Sequence, residues 1–99
     1  MTQTATQEKL WGWKIIKDNV ADNDEESQVG KIKRDYQGGQ HRYRLKDDDG
    51  EIYYYLLSDI DGKDGYEDEL FAPLDWGTWF AGCSSIEWKN PETGKYEYL

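Results

Sequence analysis

Apolar positions along this chain recur mostly every second residue. Trp11, Trp13 and Ile15 share one side of residues 10–16, which predicts a first strand. Residues 18–28 are polar and acidic without a period and predict a loop. Residues 29–36 and 40–46 predict a strand pair, reversed at Gln37-Gly38-Gly39-Gln40, because glycine supplies the positive φ of a tight turn. In the second of these strands Tyr43 and Leu45 face one way, while Arg42, Arg44 and Lys46 face the other. That is the alternation of a half-buried antiparallel strand. Asp47-Asp48-Asp49-Gly50 ends in the Asp-Gly pair of a hairpin turn. Residues 51–58 follow, apolar on both faces, with Ile52, Tyr54 and Leu56 on one and Tyr53, Tyr55 and Leu57 on the other. Such a strand is central or covered on both sides; exposed, Tyr53 and Tyr55 would form an adhesive patch.

Residues 59–69 predict a long acidic loop. Beyond it the period changes: Trp76, Trp79 and Phe80 stand at i, i+3 and i+4 and predict a helix over 74–82, with its apolar stripe packed on the sheet. Asp75 is the expected N-cap and Gly82 the expected C′ residue. A last hairpin pairs Ile86 and Trp88 with Tyr96 and Tyr98 across the turn chemistry of Asn90-Pro91-Glu92-Thr93-Gly94-Lys95. The expected fold is mainly β (or α+β): a small antiparallel sheet of about five to six strands with one short helix around 74–82. Residues 1–9 are expected to be a flexible tail and residues 10–99 a single domain.

Fifteen aromatics in 99 residues compensate for a low hydrophobic content, since a few large rings can bury the area of many aliphatic chains. The net charge of −9 argues against non-specific binding to nucleic acid or to anionic membranes, so neither is an expected partner. No apolar run reaches a membrane span, and from the polar start no signal peptide is expected. The single Cys83 admits no internal disulfide, so the cytoplasm is the expected compartment. Charge is uneven: residues 1–28 sum to −3, residues 29–46 to +5 and residues 47–99 to −11. Cross-strand neutralisation is the favoured reading of the basic block over a separate basic site.

No catalytic set, metal site or cofactor is expected. The acidic loop departs from the EF-hand pattern, with Lys63 where an oxygen ligand belongs and Asp64 where glycine belongs. His41 is the only histidine, and nothing in the sequence pairs it with Cys83 as base and nucleophile. Fixed carboxylates along one face can instead imitate a phosphate backbone. The candidates are Asp47, Asp48, Asp49 and Glu51, with Asp59, Asp61, Asp64, Glu67, Asp68 and Glu69. Tyr53, Tyr55, Trp76 and Trp79 are the candidate aromatic anchors, because Trp and Tyr dominate binding hot spots. Rings left flat at the surface would also stack on sugars, a minor alternative.

Two segments carry a resemblance. One is Asp47-Asp48-Asp49-Gly50-Glu51-Ile52-Tyr53-Tyr54. The other is Phe71-Ala72-Pro73-Leu74-Asp75-Trp76 with Ala81-Gly82-Cys83-Ser84-Ser85-Ile86-Glu87-Trp88 and the closing residues 90–99. Together, over about half the chain, they resemble small uncharacterised acidic proteins of phages and plasmids. The resemblance implies a setting in which such proteins disarm host defence, as anti-CRISPR or anti-restriction factors do. The expected function is therefore a small cytoplasmic binding protein that inhibits a host nucleic-acid-handling complex. It would occupy the basic nucleic-acid-binding surface of a host protein with a DNA-like acidic one. The alternative is an assembly module that docks through aromatic patches, as a homodimer for example.

Overall fold

A computed structural model describes residues 10–21 and 27–99. The expected tail and the middle of the 18–28 loop lie outside the described residues. Among the described residues six strands form one antiparallel sheet: β1 Gly12–Asp18, β2 Ile32–Arg34, β3 His41–Lys46, β4 Ile52–Ser58, β5 Ser85–Asn90 and β6 Lys95–Tyr98. Their order across the sheet is β2-β1-β4-β3-β5-β6, and one helix, α1, spans Glu67–Ala81. A mainly β fold of six antiparallel strands and one helix is what the alternation predicts.

The doubly apolar strand is central, as expected: β4 lies between β1 and β3. Two of the three predicted hairpins form, β3–β4 and β5–β6. Gly50 adopts φ 83° and its N–H reaches the Asp47 carbonyl, while the Asp47 carboxylate accepts the Asp49 and Glu51 N–H groups.

The predicted pairing of residues 29–36 with 40–46 is overturned. β2 keeps three residues and pairs with β1, whereas β3 pairs with β4 and β5. Residues 35–40 therefore cross the ends of β1 and β4 instead of reversing between neighbours. Asp59 is the physical reason. Its Oδ2 accepts the N–H of Gly12 at 2.9 Å and of Gln37 at 2.7 Å, and its Oδ1 accepts that of Gly39 at 2.7 Å. Gly39 is needed for the approach, since a Cβ there would lie 2.5 Å from the Ser58 carbonyl oxygen.

The predicted helix starts too late. Tyr66, not Asp75, is the N-cap, and its N–H is bound by the Glu69 carboxylate at 3.1 Å. Glu67, Asp68 and Glu69 occupy the first turn, where the helix dipole favours negative charge, so part of the expected acidic loop is helix. The C-terminal end is as expected: Gly82, at φ 80°, donates to the Thr78 carbonyl, and the Cys83 N–H reaches Gly77.

The earlier start resets the helical phase. Leu70, Pro73, Leu74, Gly77 and Ala81 form the packed stripe over β3 and β5. Gly77 brings the backbone onto the sheet, where a Cβ would lie 2.7 Å from Leu45 Cδ1. The predicted stripe of Trp76, Trp79 and Phe80 is corrected accordingly. Trp76 packs, 5.1 Å from Tyr54, but Phe80 is about half exposed and Trp79 is 84% exposed.

Beneath α1 the core is Trp13 and Ile15 from β1, Tyr43 and Leu45 from β3, Tyr54 and Leu56 from β4, and Ile86 and Trp88 from β5. Each large side chain contributes on the order of 2–3 kcal/mol by leaving water. Tyr43 buries its ring while its hydroxyl donates to the Ile60 carbonyl at 2.6 Å, which ties the acidic loop to the sheet. Burial, with the charge of Asp61 nearby, pushes that phenol far above its ordinary value. Only one face of the sheet is covered by helix. Among the described residues no element covers the other, and the two faces carry different chemistry.

Candidate functional site

The proposed phosphate mimics divide by what their oxygens do. Asp47, Asp59, Asp61 and Glu69 are turned onto backbone N–H groups, Asp61 accepting from Lys63 at 2.9 Å. These four shape turns, loops and the helix start. Asp48, Asp49, Glu51, Asp64, Glu67 and Asp68 are exposed, and among the described residues their side chains make no hydrogen bond or ion pair. The two clusters lie at opposite ends of β4, about 20 Å apart at a strand rise of ~3.3 Å per residue. They do not form one continuous row.

The helix runs between them, about 22 Å long at ~1.5 Å per residue. Opposite its packed stripe, Asp68, Asp75 and Trp79 stand at i, i+7 and i+11 and point away from the sheet. Asp75, offered by the sequence as a cap, belongs to this outer surface. The spacing of Asp75 and Trp79 would have found it had the helix start been known. Exposed Tyr66 marks the helix entry, and Trp76 stacks on Phe80 at the flank with a 5.1 Å centroid distance. The Lys33 ammonium sits 4.7 Å above the Trp76 ring and Tyr54 and Phe80 pack beside it, so that anchor candidate is enclosed within the molecule.

The other two aromatic candidates separate as well. Tyr53 lies at the bulge opposite Lys46, packs against the core edge and bonds Asp47, which raises its phenol above the ordinary value. Tyr55 points to the open face, edge-on to Tyr96 at 6.2 Å.

The open face reads as lateral rows across the sheet. One row runs Lys17, Tyr55, Arg44, Glu87 and Tyr98. The next runs Lys14, Leu57 and Arg42, continuing to Lys89 and Tyr96 one rung beyond the Tyr43–Trp88 pair. With Lys46 these rows hold six cations and one carboxylate, a local sum of +5 on a chain of −9.

The expected neutralisation of the basic block is therefore partial. Glu87 bonds Arg44 and, at 3.2 Å, Lys46, and the Arg44 guanidinium lies 4.1 Å over the Tyr96 ring. Burial pushes the Glu87 carboxyl up, but the two cations outweigh it and hold the group below its ordinary value. Among the described residues, Lys14, Lys17, Arg42 and Lys89 make no ion pair. Net charge hid this side of the molecule. The +5 sum over residues 29–46 and the alternation of Arg42 and Arg44 with Tyr43 and Leu45 were its signals in sequence.

His41 and Cys83 are far apart. His41 opens β3, and Cys83 lies beside the other end of that strand, about 17 Å away at the rise of a strand. Cys83 is buried, and burial pushes its thiol up to about 11. A cleft of about 180 Å³ gathers His41 with Asp59, Asp61, Asp64 and Glu69. Among the described residues no group of three or more His, Cys, Asp or Glu is arranged to hold a metal ion. No described helix is long and apolar enough to cross a membrane. Compared with protein-family models, with curated proteins and with solved structures, this chain matches none, and its function is read from these two faces alone.

Proposed function

We propose that this protein is a binding protein whose helix side docks onto a basic surface of a protein partner. In this reading the partner is a nucleic-acid-handling protein. Acidic groups of the helix side take the place of a phosphate backbone there, in keeping with the small acidic proteins of phages and plasmids that the sequence resembles. The observation that carries it is Trp79, 84% exposed on the outward stripe with Asp68 and Asp75. A large ring held on a rigid helix and flanked by unpaired carboxylates supplies an anchor and the charge that steers and orients a basic partner.

The test is a pull-down from host lysate with the tagged protein, washed at low and then high salt, with mass spectrometry of the eluates. Wild type is expected to retain a basic nucleic-acid-handling protein that leaves at high salt. Trp79→Ala and the Asp68→Lys/Asp75→Lys pair should lose it, with thermal stability unchanged. A partner kept equally by both variants would remove the helix side from the reading. The edge strand β6, with Tyr98 68% exposed, favours a second reading, a homodimer formed through that edge. Sedimentation that stays monomeric at high concentration would dismiss it.

A further inference from the structure

We propose that the helix-free face of the sheet is a platform for single-stranded nucleic acid, with phosphates held by Lys17, Arg42 and Lys89 and bases lying against Tyr55 and Tyr96. This goes beyond the helix-side reading and rests on different residues. It also departs from the expectation drawn from net charge.

Three observations support it. First, Lys17, Arg42, Tyr55, Lys89 and Tyr96, with Ile16, line one groove of about 450 Å³ to which no carboxylate contributes among the described residues. A second hollow of about 210 Å³ extends it past Gln40, His41 and Pro91 through the same Arg42 and Lys89. Second, Arg42 and Lys89 are neighbours across β3 and β5, and among the described residues neither makes an ion pair. Like charges on adjacent strands repel, and an anion seated between them would relieve that repulsion. The next rung, Arg44 with Glu87, is neutralised, so the bare pair is a local feature rather than a general excess of lysine. Third, rings alternate with cations on a shallow, open surface. A positively charged track with aromatic faces for successive bases is how single strands are held without sequence readout.

The chain's net charge of −9 does not forbid this. The outer stripe of α1 lies a full helix diameter, about 10–12 Å, beyond the opposite face of the sheet. That exceeds the screening length of about 8 Å at physiological ionic strength.

Fluorescence anisotropy with 5′-labelled fifteen-nucleotide oligothymidine and oligouridine, the matching duplex and a labelled polyglutamate peptide tests the proposal. The single strands should bind at 50 mM salt and weaken about 20-fold by 200 mM, as about three phosphate contacts require. Arg42→Glu with Lys89→Glu should weaken binding at least ~10-fold and flatten the salt dependence. Tyr96→Ala should weaken it about fivefold or more, with Tyr96→Phe restoring it. Asp68→Lys, on the far side, should leave the effect of Arg42→Glu/Lys89→Glu intact. Near-UV circular dichroism of the tryptophans shows that each variant is folded. Absence of single-strand binding at 50 mM salt, or binding untouched by Arg42→Glu/Lys89→Glu in a folded protein, overturns the proposal. So does equal affinity for duplex or polyglutamate. Concentration-dependent self-association abolished by Arg42→Glu/Lys89→Glu, without oligonucleotide binding, would overturn it too. The face would then belong to the acidic helix side of a second copy.

Discussion

Asp59→Ala separates a carboxylate that builds the fold from one that serves a surface. Asp59 holds three backbone N–H groups from two segments that the sequence keeps far apart: Gly12 at the start of β1, and Gln37 and Gly39 in the crossing segment. Hydrogen bonds to a charged acceptor contribute about 1.5–3 kcal/mol each. Three bonds sharing one carboxylate are not additive, and the Gln37 bond is exposed, so the expected loss is about 3–5 kcal/mol. A domain of this size has about 5–15 kcal/mol in total, which makes the loss a large part of it.

The assay is reversible urea unfolding followed by tryptophan fluorescence, with a thermal melt beside it. The midpoint should fall by at least ~1 M urea, and the melting temperature by at least ~12 °C. Asp59→Asn should fall between, because an amide offers one accepting oxygen and turns a donor towards the other N–H groups. Asp64→Ala is the control. Its carboxylate is exposed and makes no hydrogen bond among the described residues, so the change should stay within about 0.5 kcal/mol. Equal midpoints for Asp59→Ala and Asp64→Ala would refute the reasoning. Asp59 would then be one more solvated acid.

Gly77→Ala should destabilise by about 1–3 kcal/mol through overpacking against Leu45 and Cys83, despite alanine's better helix propensity; stability equal to or above wild type would show that α1 can lift off the sheet at no cost. Glu87 sits below its ordinary value of 4.5, so the stability it confers is complete above about pH 4.5 and is lost as pH falls through the folded value. Glu87→Gln should accordingly be less stable than wild type at pH 7, with the difference shrinking as the pH falls below 4.5; urea midpoints from pH 7 to pH 3 measure it, and a constant difference would count against the paired carboxylate. Cys83, buried and with its thiol pushed up to about 11, should react with a disulfide reagent at pH 8 only as fast as the protein opens, and at once in denaturant. Rapid labelling of the folded protein would contradict that burial.

What the sequence by itself determined was local. Strand periods, the Asp49-Gly50 and Asn90–Gly94 turns and the Gly82 cap were legible because their chemistry lies within a few residues of chain. The two-faced apolar pattern of residues 51–58 was enough to make that strand central. Tertiary structure decided what depends on distant partners. The carboxylate of Asp59 sent the 37–40 segment across two strands instead of into a hairpin, and no local propensity encodes a hydrogen bond to residue 12. Glu69 and the dipole of the first turn started the helix at residue 67. The start set its phase, and the phase turned Trp79 outward. Strand order brought Lys17, Arg42 and Lys89 from three strands onto one open face, while the acids gathered on the helix and at the sheet ends. A sum over the chain cannot contain that segregation, because charge acts through distances that only the fold supplies.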